Sequence, residues 1–257
     1  MSPDSKDYAS YSALAAIYDT VMKEIDYVMW SDFIDEIIQT HHSEAEDILE
    51  LACGTGSFAL ALDELDIYNI HATDGSEDML EVARQKSALG TNAVTWEQVD
   101  YYNIQIEKNF DVVLMLYDSI NYALNAEDVL KALLQVKPVL RDNGIFIFDF
   151  TTPTNSSRHA ESLNDEGSTP DNYRYIRLSR YLPSEKMHYN EFEIEKLADD
   201  KIHIERRYRE VHKQRVYTLE EMRSIISKTP FKILAEYDSF ELEPANENSD
   251  RITLVLA

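Results

Sequence analysis

The fold of this chain is indicated most strongly by the segment Ile48-Leu-Glu-Leu-Ala-Cys-Gly54-Thr-Gly56-Ser-Phe-Ala59. An apolar run enters a glycine-containing turn and continues at helical spacing, which predicts a strand, a tight turn and a helix. Because glycine has no Cβ, Gly54 and Gly56 let the backbone approach a ligand closely. Asp74 follows Gly54 by 20 positions, at the tip of the next predicted strand, where a carboxylate can accept both hydroxyls of a ribose. The stretch therefore predicts a nucleoside pocket at the carboxyl ends of parallel strands.

Two other interpretations fit the same glycines. The pattern Gly54-x-Gly56-x-x-Ala59 also satisfies the dinucleotide fingerprint, and a tight strand–helix turn needs no ligand at all. Glu50 distinguishes between the ligands, because its carboxylate lies directly before the glycines. It would repel a pyrophosphate and attract an ammonium group. S-adenosylmethionine (SAM) is a nucleoside that has an ammonium group and no phosphate.

The rest of the chain predicts an α/β fold. Apolar segments predict strands at 47–52, 69–73, 93–98, 110–116 and 145–150, and three- to four-residue spacing predicts helices at 12–40, 57–65, 76–87, 126–136 and 218–228. We expect Ser76 and Asn125 to cap two of these helices, and Thr218 and Glu221 to form a capping box at the start of a third. Residues 138 and 142–144 are expected to form a break before the fifth strand. The stretch 151–172 is predicted to be a loop, residues 173–211 three antiparallel strands, and residues 231–236 and 252–256 the final strands.

These elements predict a doubly wound, mostly parallel seven-stranded sheet with an antiparallel β insertion after the fifth strand. We divide the chain into an N-terminal helical lid (1–46), a cofactor-binding α/β core (47–150), an antiparallel β insertion that caps the substrate (151–217) and a C-terminal segment that completes the core sheet (218–257).

Four motifs resemble those of class I SAM-dependent methyltransferases. The segment from Glu50 to Gly56 resembles the first motif, with Ala52 where the family has its first glycine, and segments around Asp74, Asp100 and Leu116 resemble the next three. The resemblance implies that SAM is the cofactor and that these residues bind it: Glu50, Ala52, Gly54, Gly56, Asp74, Gly75, Ser76, Met79, Asp100, Tyr101 and Leu116.

The resemblance also implies a role for single residues. Asp74 would bind the ribose, Met79 would lie near the adenine, and Asp100 would receive the adenine amino group. Each residue has an alternative: Met79 can be helix core, and Asp100 can form a turn at a strand end. We interpret Cys53 as a small packed side chain, since no base lies near it in the sequence.

The N-terminal segment from Tyr11 to Asp19 resembles the entrance segment of small-molecule methyltransferases, including sugar-amine and glycine N-methyltransferases. The resemblance implies that Tyr11 and Tyr18 bind the cofactor by closing over its methionine end. The alternative is an amphipathic helix that uses these aromatic side chains as core.

The end of the insertion, Glu210-Val-His-Lys-Gln-Arg-Val-Tyr217, resembles a Glu-x-His-x-x-Arg-x-Tyr element of the same methyltransferases. On a strand, Glu210 and His212 share one face, and Arg215 and Tyr217 share the other unless a bulge intervenes. We expect His212 and Asp118 to be catalytic, although a lone histidine can also be structural. The acceptor is expected to contact the loop after the fourth strand and this element, through Tyr117, Asn121, Tyr122, Arg215 and Tyr217.

Arginines are frequent in the insertion, with clusters at 174, 177 and 180 and at 206, 207 and 209. One hypothesis is that they form a positive cap that attracts an anionic acceptor, whose carboxylate or phosphate Arg215 holds. The alternative is that they pair across strands with glutamates, of which Glu191 and Glu195 are two.

Composition narrows the function. The net charge of −24 disfavours nucleic acid and anionic membranes as partners. There is no apolar run of membrane-spanning length, no signal-peptide pattern in residues 1–10 and a single cysteine, so we expect a cytoplasmic protein. No metal site is expected. The predicted function is SAM-dependent methyl transfer to a small molecule by in-line displacement. The alternatives are a non-catalytic SAM-binding module, a methyltransferase acting on RNA or protein, and a nicotinamide-dependent oxidoreductase. The acceptor, the methylated atom and the choice between monomer and homodimer stay open.

Overall fold

Two β-sheets and their helices make up the fold, seen in a computed structural model that describes residues 6–7, 11, 13–90 and 92–257. The first elements are β1 (Lys6–Asp7), α1 (Tyr18–Val21), α2 (Tyr27–His41), β2 (Asp47–Leu51), α3 (Ser57–Asp63), β3 (Asn69–Asp74), α4 (Glu77–Ser87), β4 (Thr95–Gln98), β5 (Phe110–Met115) and α5 (Ala126–Val136). The others are β6 (Leu140–Thr151), α6 (Pro153–His159), β7 (Asp165–Ser168), β8 (Tyr173–Leu182), β9 (Met187–Leu197), β10 (Ile204–Arg215), α7 (Leu219–Ile226), β11 (Ile233–Asp238) and β12 (Arg251–Leu256).

The larger sheet has seven strands in the order β11-β12-β6-β5-β2-β3-β4. Strands β6, β5, β2, β3 and β4 pair in parallel, and β12 is antiparallel to both of its neighbours. The predicted doubly wound, mostly parallel seven-stranded sheet is confirmed. Its strand order reverses around β2 and β5, so their carboxyl ends form the crevice where such sheets bind ligands.

Helices cover both faces of this sheet, so alternate residues of its strands are buried on opposite sides. One apolar cluster joins Leu49, Val113 and Phe148 of the strands to α5 and α7. The other joins Ile48 and Val112 to α2, α3 and α4. The continuous apolar runs of the sequence follow directly from burial on both faces.

The smaller sheet has the order β1-β10-β9-β8-β7. The predicted antiparallel insertion is confirmed as the three long strands β8, β9 and β10, which pair antiparallel. Its inner face carries Tyr175, Phe192 and Ile194, which pack against Leu14 and Ile17 of the N-terminal segment. The sheet is thereby held over the carboxyl end of the larger one.

The predicted helix caps are present. The Ser76 side chain accepts a hydrogen bond from the Met79 N–H at the start of α4. Asn125 accepts from two backbone N–H groups at the start of α5. Thr218 and Glu221 form a reciprocal capping box at the start of α7. Each cap satisfies backbone donors that the first helical turn leaves without partners.

The single helix predicted for residues 12–40 is wrong within the described residues, and Ser12 lies outside them. A 3-10 turn (Leu14–Ala16) and the short α1 precede α2, which starts at its own cap, Asp26. The Glu210 carboxylate fixes the first bend, because it accepts the N–H groups of Tyr11, Ala13 and Leu14. Apolar spacing continues across the break, so periodicity alone predicts one helix.

Two other segments differ from the prediction. The predicted loop 151–172 contains α6, which Thr152 caps with Pro153 in the first turn, and β7, which pairs with β8. The predicted break at residues 142–144 lies inside β6 instead. There the register with β5 shifts, and a Cβ on Gly144 would lie 3.0 Å from the carbonyl oxygens of Phe110 and Asp111. Gly144 therefore permits close strand approach and does not mark a loop.

Candidate active site

A cavity of about 530 Å³ lies at the carboxyl ends of β2, β3 and β5, beneath the N-terminal segment and the smaller sheet. Most of the sequence-predicted site residues line it: Tyr11, Tyr18, Glu50, Ala52, Gly54, Asp74, Gly75, Ser76, Met79, Asp100, Tyr101, Leu116, Tyr117, Asp118, Tyr122 and His212. Its volume is within the range of small-molecule pockets.

The turn after β2 brings the backbone to the cavity. Ala52, Gly54 and Gly56 all have positive φ angles, of 56°, 55° and 74°. Gly54 lines the cavity, with the Tyr18 ring close above it. Gly56 does not line the cavity. It packs against the Trp96 ring, with which a Cβ would collide. The second glycine thus serves the packing of the turn.

Glycine at position 52 is expected to stabilise the fold by about 0.5–1 kcal/mol, since the left-handed conformation disfavours alanine but not glycine. Urea unfolding of Ala52→Gly measures this. Ala61→Gly is the matched control within helix α3, and there glycine should destabilise by about 1 kcal/mol. A destabilised Ala52→Gly protein would contradict the strain assigned to this turn.

Asp74 is held in one orientation at the end of β3. Its Oδ2 accepts the Gly54 N–H at 2.8 Å, and its Oδ1 accepts the Ser76 N–H at 2.8 Å. Burial raises the pKa of Asp74, although these backbone donors act against the increase. Each oxygen keeps a lone pair for a further donor, as binding of two ribose hydroxyls requires.

Alanine at position 74 is expected to weaken SAM binding at least about tenfold, because each hydrogen bond to a charged group contributes about 1.5–3 kcal/mol. Calorimetric titration measures the affinity, and circular dichroism verifies the fold. Asp142→Ala, an exposed aspartate in β6, is the matched control. Unchanged SAM affinity in folded Asp74→Ala protein would contradict the assignment.

Glu50 is the buried acid of this end of the cavity. Its side chain is 4% exposed, and its Oε2 has no hydrogen-bond partner among the described residues. Burial, together with the nearby Asp74, raises the pKa of Glu50 to about 8. A buried acceptor without a partner is costly to the free protein, and a cationic ligand group would satisfy it.

The residues beyond β3 and β4 form the far side of the cavity. Met79 is buried at the start of α4 and also lines the cavity, so its place in the helix core does not remove it from the cavity. Asp100 is exposed, with one oxygen accepting the Tyr102 N–H at 2.8 Å. It therefore forms a turn and also presents a carboxylate to the cavity.

The loop after β5 is strained and tightly held. Tyr117 and Asp118 both have positive φ angles, 62° and 51°. The buried carboxylate of Asp149 accepts both of their backbone N–H groups, and Arg251 bridges Asp149 and Asp118. Non-glycine residues in this conformation persist only where surrounding contacts fix them, as often occurs at functional sites.

The N-terminal segment closes one side of the cavity. The Tyr11 ring lies 4.5 Å from the His212 ring and 5.8 Å from the Tyr122 ring, measured between centroids. Asp19 accepts a hydrogen bond from Thr55 Oγ1 at 2.6 Å and pairs with Lys86 at 2.9 Å. These contacts fix the segment above the glycine turn.

Glu210 and His212 form a buried pair on one face of β10, as predicted. His212 Nε2 lies 3.1 Å from Glu210 Oε2, and His212 Nδ1 is buried without a partner among the described residues. Burial raises the pKa of Glu210, but His212 and three backbone donors outweigh it and hold the pKa below its usual value. With Nε2–H donating to Glu210, Nδ1 carries the lone pair.

Three residues predicted to bind the acceptor lie outside the cavity. Asn121 is fully buried, and its amide bonds to backbone groups of Thr151 and Arg215. Arg215 pairs with Glu221 at 3.1 Å, and the Tyr217 hydroxyl donates to the Ala123 carbonyl. The amide and the hydroxyl join the loop after β5 to β6 and β10, so these side chains support the site from behind.

The insertion's arginines follow the alternative interpretation. Four of them pair with Glu191 or Glu195 across neighbouring strands: Arg174, Arg180, Arg207 and Arg209. Arg177 is different, because it lines the cavity with Asn190 and Gln214. Sequence reasoning grouped Arg177 with Arg174 and Arg180. The two-residue alternation of a strand places it on the opposite face and could have separated it.

Two other kinds of site are absent from the described part of the chain. No group of His, Cys, Asp or Glu there could hold a metal ion. None of its helices combines the length and the apolar character needed to cross a bilayer.

Comparison with known proteins supports one protein class. Residues 48–144 match a family described as a methyltransferase domain. A Geobacillus sp. (strain WCH70) protein, whose name provisionally calls it a methyltransferase, is 24% identical over 96% of this chain and 98% of its own length. The crystal structure of a SAM-dependent methyltransferase from Clostridium acetobutylicum matches with a TM-score of 0.77 and 26% identity, covering 96% of this chain and 98% of that one. The sugar N-methyltransferase KedS8 from Streptoalloteichus sp. shares the fold, with a TM-score of 0.76, 16% identity and coverage of 99% and 97%.

With this sheet order, this glycine turn and a methyltransferase domain at residues 48–144, the chain is a SAM-dependent methyltransferase. Its methyl donor is SAM, and it is similar to the clostridial SAM-dependent methyltransferase over nearly its entire length.

The residues of the cavity fit that cofactor. The unpartnered Oε2 of Glu50 matches an ammonium group, and the free lone pairs of Asp74 match ribose hydroxyls. Gly54 leaves the backbone accessible between them. When bound, SAM supplies a methyl group on a positively charged sulfur.

Proposed function

We propose that this methyltransferase acts on a small molecule held beneath the smaller sheet. The observation that carries the proposal is the single cavity that joins Glu50 and Asp74 at one end to Tyr122 and His212 at the other. Its walls come from the core, the N-terminal segment and the insertion. A cavity of about 530 Å³ suits a nucleoside cofactor with a compact acceptor better than it suits a macromolecule.

Methyl transfer from a sulfonium proceeds in our proposal as an in-line displacement, whose main requirement is orientation in a water-excluded site. Tyr11 and Tyr18 exclude water above the glycine turn. Tyr117 and Tyr122 offer hydroxyl groups, and Asp118 a carboxylate, to orient an acceptor amine or hydroxyl.

We assign the proton transfer to His212. Its Nδ1 has no partner among the described residues, whereas Nε2 is held by the Glu210 carboxylate. That arrangement fixes the tautomer with a lone pair on Nδ1 and stabilises the imidazolium formed when Nδ1 takes a proton. Glu210 is a positioning residue, because it acts through His212.

We also propose a role for each of four segments of the chain. Residues 1–46 serve as the lid, 47–150 bind the cofactor, 151–217 cap the acceptor, and 218–257 complete the sheet. We also propose a cytoplasmic site of action, since the only cysteine, Cys53, is a buried free thiol.

A labelled-methyl screen tests the proposal. The purified full chain is incubated with methyl-labelled SAM and defined amines, sugars, phenols and small acids, one at a time. We expect label in at least one small acceptor, with the folded Asp74→Ala protein as the inactive control. SAM binding without transfer to any acceptor, or to an added metabolite extract, would indicate a non-catalytic binding module instead.

A further inference from the structure

Among the described residues, Arg177 on β8 is the one lysine or arginine that lines the cavity. It lies on the inner face of β8, between the buried residues Tyr175 and Ser179, whereas Arg174 and Arg180 point to the exposed face. A permanent cation is expensive at a position where a strand normally places an apolar side chain. This cost calls for a functional explanation.

The guanidinium of Arg177 is oriented but not neutralised. Its Nε and Nη2 donate to Asn190 Oδ1 at 3.0 and 2.8 Å, and the group lies over the Phe192 ring at 5.6 Å. Asn190 is a neutral acceptor, so it fixes the fork without cancelling its charge. The other three N–H donors of Arg177 have no partner among the described residues. Burial lowers the pKa of Arg177, which remains a cation at neutral pH.

Asp118, a carboxylate that acts electrostatically on Arg177, already has two partners of its own. Asp118 Oδ1 pairs with Arg251 at 2.5 Å, and its Oδ2 accepts the Gln214 amide. No carboxylate of the described residues lies within ion-pair distance of Arg177. Four of the other arginines on β8 and β10, in contrast, are paired with Glu191 or Glu195.

Arg177 belongs to the acceptor end of the cavity by its neighbours. Tyr117, Tyr122 and Asp118, which we assign to the acceptor, act electrostatically on its guanidinium. Tyr18, which we assign to the cofactor, does so as well. The residues that fit the cofactor's ammonium and ribose, Glu50 and Asp74, are not among them. Within a protein of net charge −24, Arg177 is therefore a local positive charge at the acceptor end of an otherwise acidic cavity.

We propose that Arg177 binds an anionic group of the methyl acceptor, a carboxylate or a phosphate, and so selects acidic small molecules. The inference rests on the proposed function and names its acceptor class. Binding uses the planar fork of Arg177, held by Asn190, with two parallel N–H groups directed to the anion. Arg177 thus takes the anion-binding role that the sequence suggested for Arg215, which lies outside the cavity.

The test uses the full chain and four proteins: wild type, Arg177→Gln, Arg177→Lys and the control Arg180→Gln on the other face of the same strand. Calorimetry first measures the SAM affinity of each. Acetate and inorganic phosphate are then titrated into each protein saturated with S-adenosylhomocysteine. Transfer is finally compared within matched pairs of acceptors, glycine against methylamine and glucosamine 6-phosphate against glucosamine.

We expect acetate or phosphate to bind the wild-type and Arg180→Gln proteins. The affinity of Arg177→Gln for the same anion should be at least about thirtyfold lower, and its SAM affinity should be unchanged. Arg177→Lys should restore part of the binding, since the charge remains but the fork is lost. The anion that binds decides between carboxylate and phosphate. The member of each pair bearing that anion should be the better substrate.

Three results would overturn the inference. The first is anion binding that is equal in the wild-type and Arg177→Gln proteins. The second is transfer to neutral acceptors that equals transfer to anionic ones, a result that leaves the proposed function intact. The third is a loss of SAM affinity in Arg177→Gln, which would place the guanidinium at the cofactor's own carboxylate. Absence of transfer to every acceptor would contradict the proposed function, and the anion titration would still decide the role of Arg177.

Discussion

Glutamine in place of Glu50 is expected to weaken SAM binding at least about thirtyfold, since it removes the buried carboxylate assigned to the cofactor's ammonium group. The side chain is 4% exposed and its Oε2 has no partner among the described residues, so water cannot substitute for the lost charge. A neutral amide of the same shape leaves the packing around β2 intact. The change therefore isolates the charge.

The same substitution is expected to stabilise the protein without ligand. The pKa of Glu50 is about 8 in the fold against 4.5 ordinarily, so the folded chain holds a proton that the unfolded chain loses. Stability supplied by the protonated carboxyl is therefore lost as pH rises from about 4.5 to about 8. Glutamine stays neutral, and at pH 8 it should add on the order of 1–3 kcal/mol to the free energy of unfolding.

Both effects can be measured together. Between about pH 6 and pH 7.5, wild-type SAM affinity should rise as Glu50 ionises, and Glu50→Gln should show no such rise. Thermal unfolding at pH 8 measures the stability, with the exposed Glu44→Gln as the control. A Glu50→Gln protein that binds SAM normally would contradict the role of Glu50 in binding. A Glu50→Gln protein that is less stable than the wild type at pH 8 would contradict the cost assigned to the buried, unpartnered carboxylate.

His212→Gln is expected to lower kcat at least about a hundredfold with any acceptor that must lose a proton, the usual contribution of a general base. SAM affinity should change by no more than about twofold, because Glu50 and Asp74 hold the cofactor in our account. Steady-state kinetics and calorimetry separate the two quantities.

His188→Gln is the matched control for this prediction. His188 is also a buried histidine of the smaller sheet, but both of its nitrogens bond to serine hydroxyls, Ser156 Oγ and Ser179 Oγ, and it does not line the cavity. It should leave kcat nearly unchanged. Equal losses in the two variants would indicate that His212 is structural, the alternative that its sequence left open.

The core of the fold was predictable because its signals are local. Continuous apolar runs such as residues 110–116 identify strands buried on both faces, and the glycine turn with Asp74 one strand later identifies the ligand crevice. The caps at Ser76, Asn125 and Thr218 were also predictable, because each depends on a few adjacent residues.

The failures have a common physical reason, which is that distant residues decide them. The bend before α1 depends on Glu210, almost 200 positions away, and Gly144 serves a contact with the neighbouring strand β5. Asn121 and Tyr217 have polar groups suited to an acceptor, but the fold uses them to join the loop after β5 to other elements. The Arg215 guanidinium pairs instead with Glu221 of α7. Arg177 was visible in the sequence only as one of several arginines, and only the structure shows that it has no ion-pair partner among the described residues.

Methyl transfer from SAM to a small molecule can be followed by the fate of a labelled methyl group. The full chain is incubated with methyl-labelled SAM and a cell extract containing both metabolites and macromolecules, and the products are separated by ultrafiltration. We predict label in the small-molecule filtrate beyond SAM and its breakdown products, in amounts that fall with Asp74→Ala. Label retained with protein or RNA, and none in new small molecules, would contradict the claim.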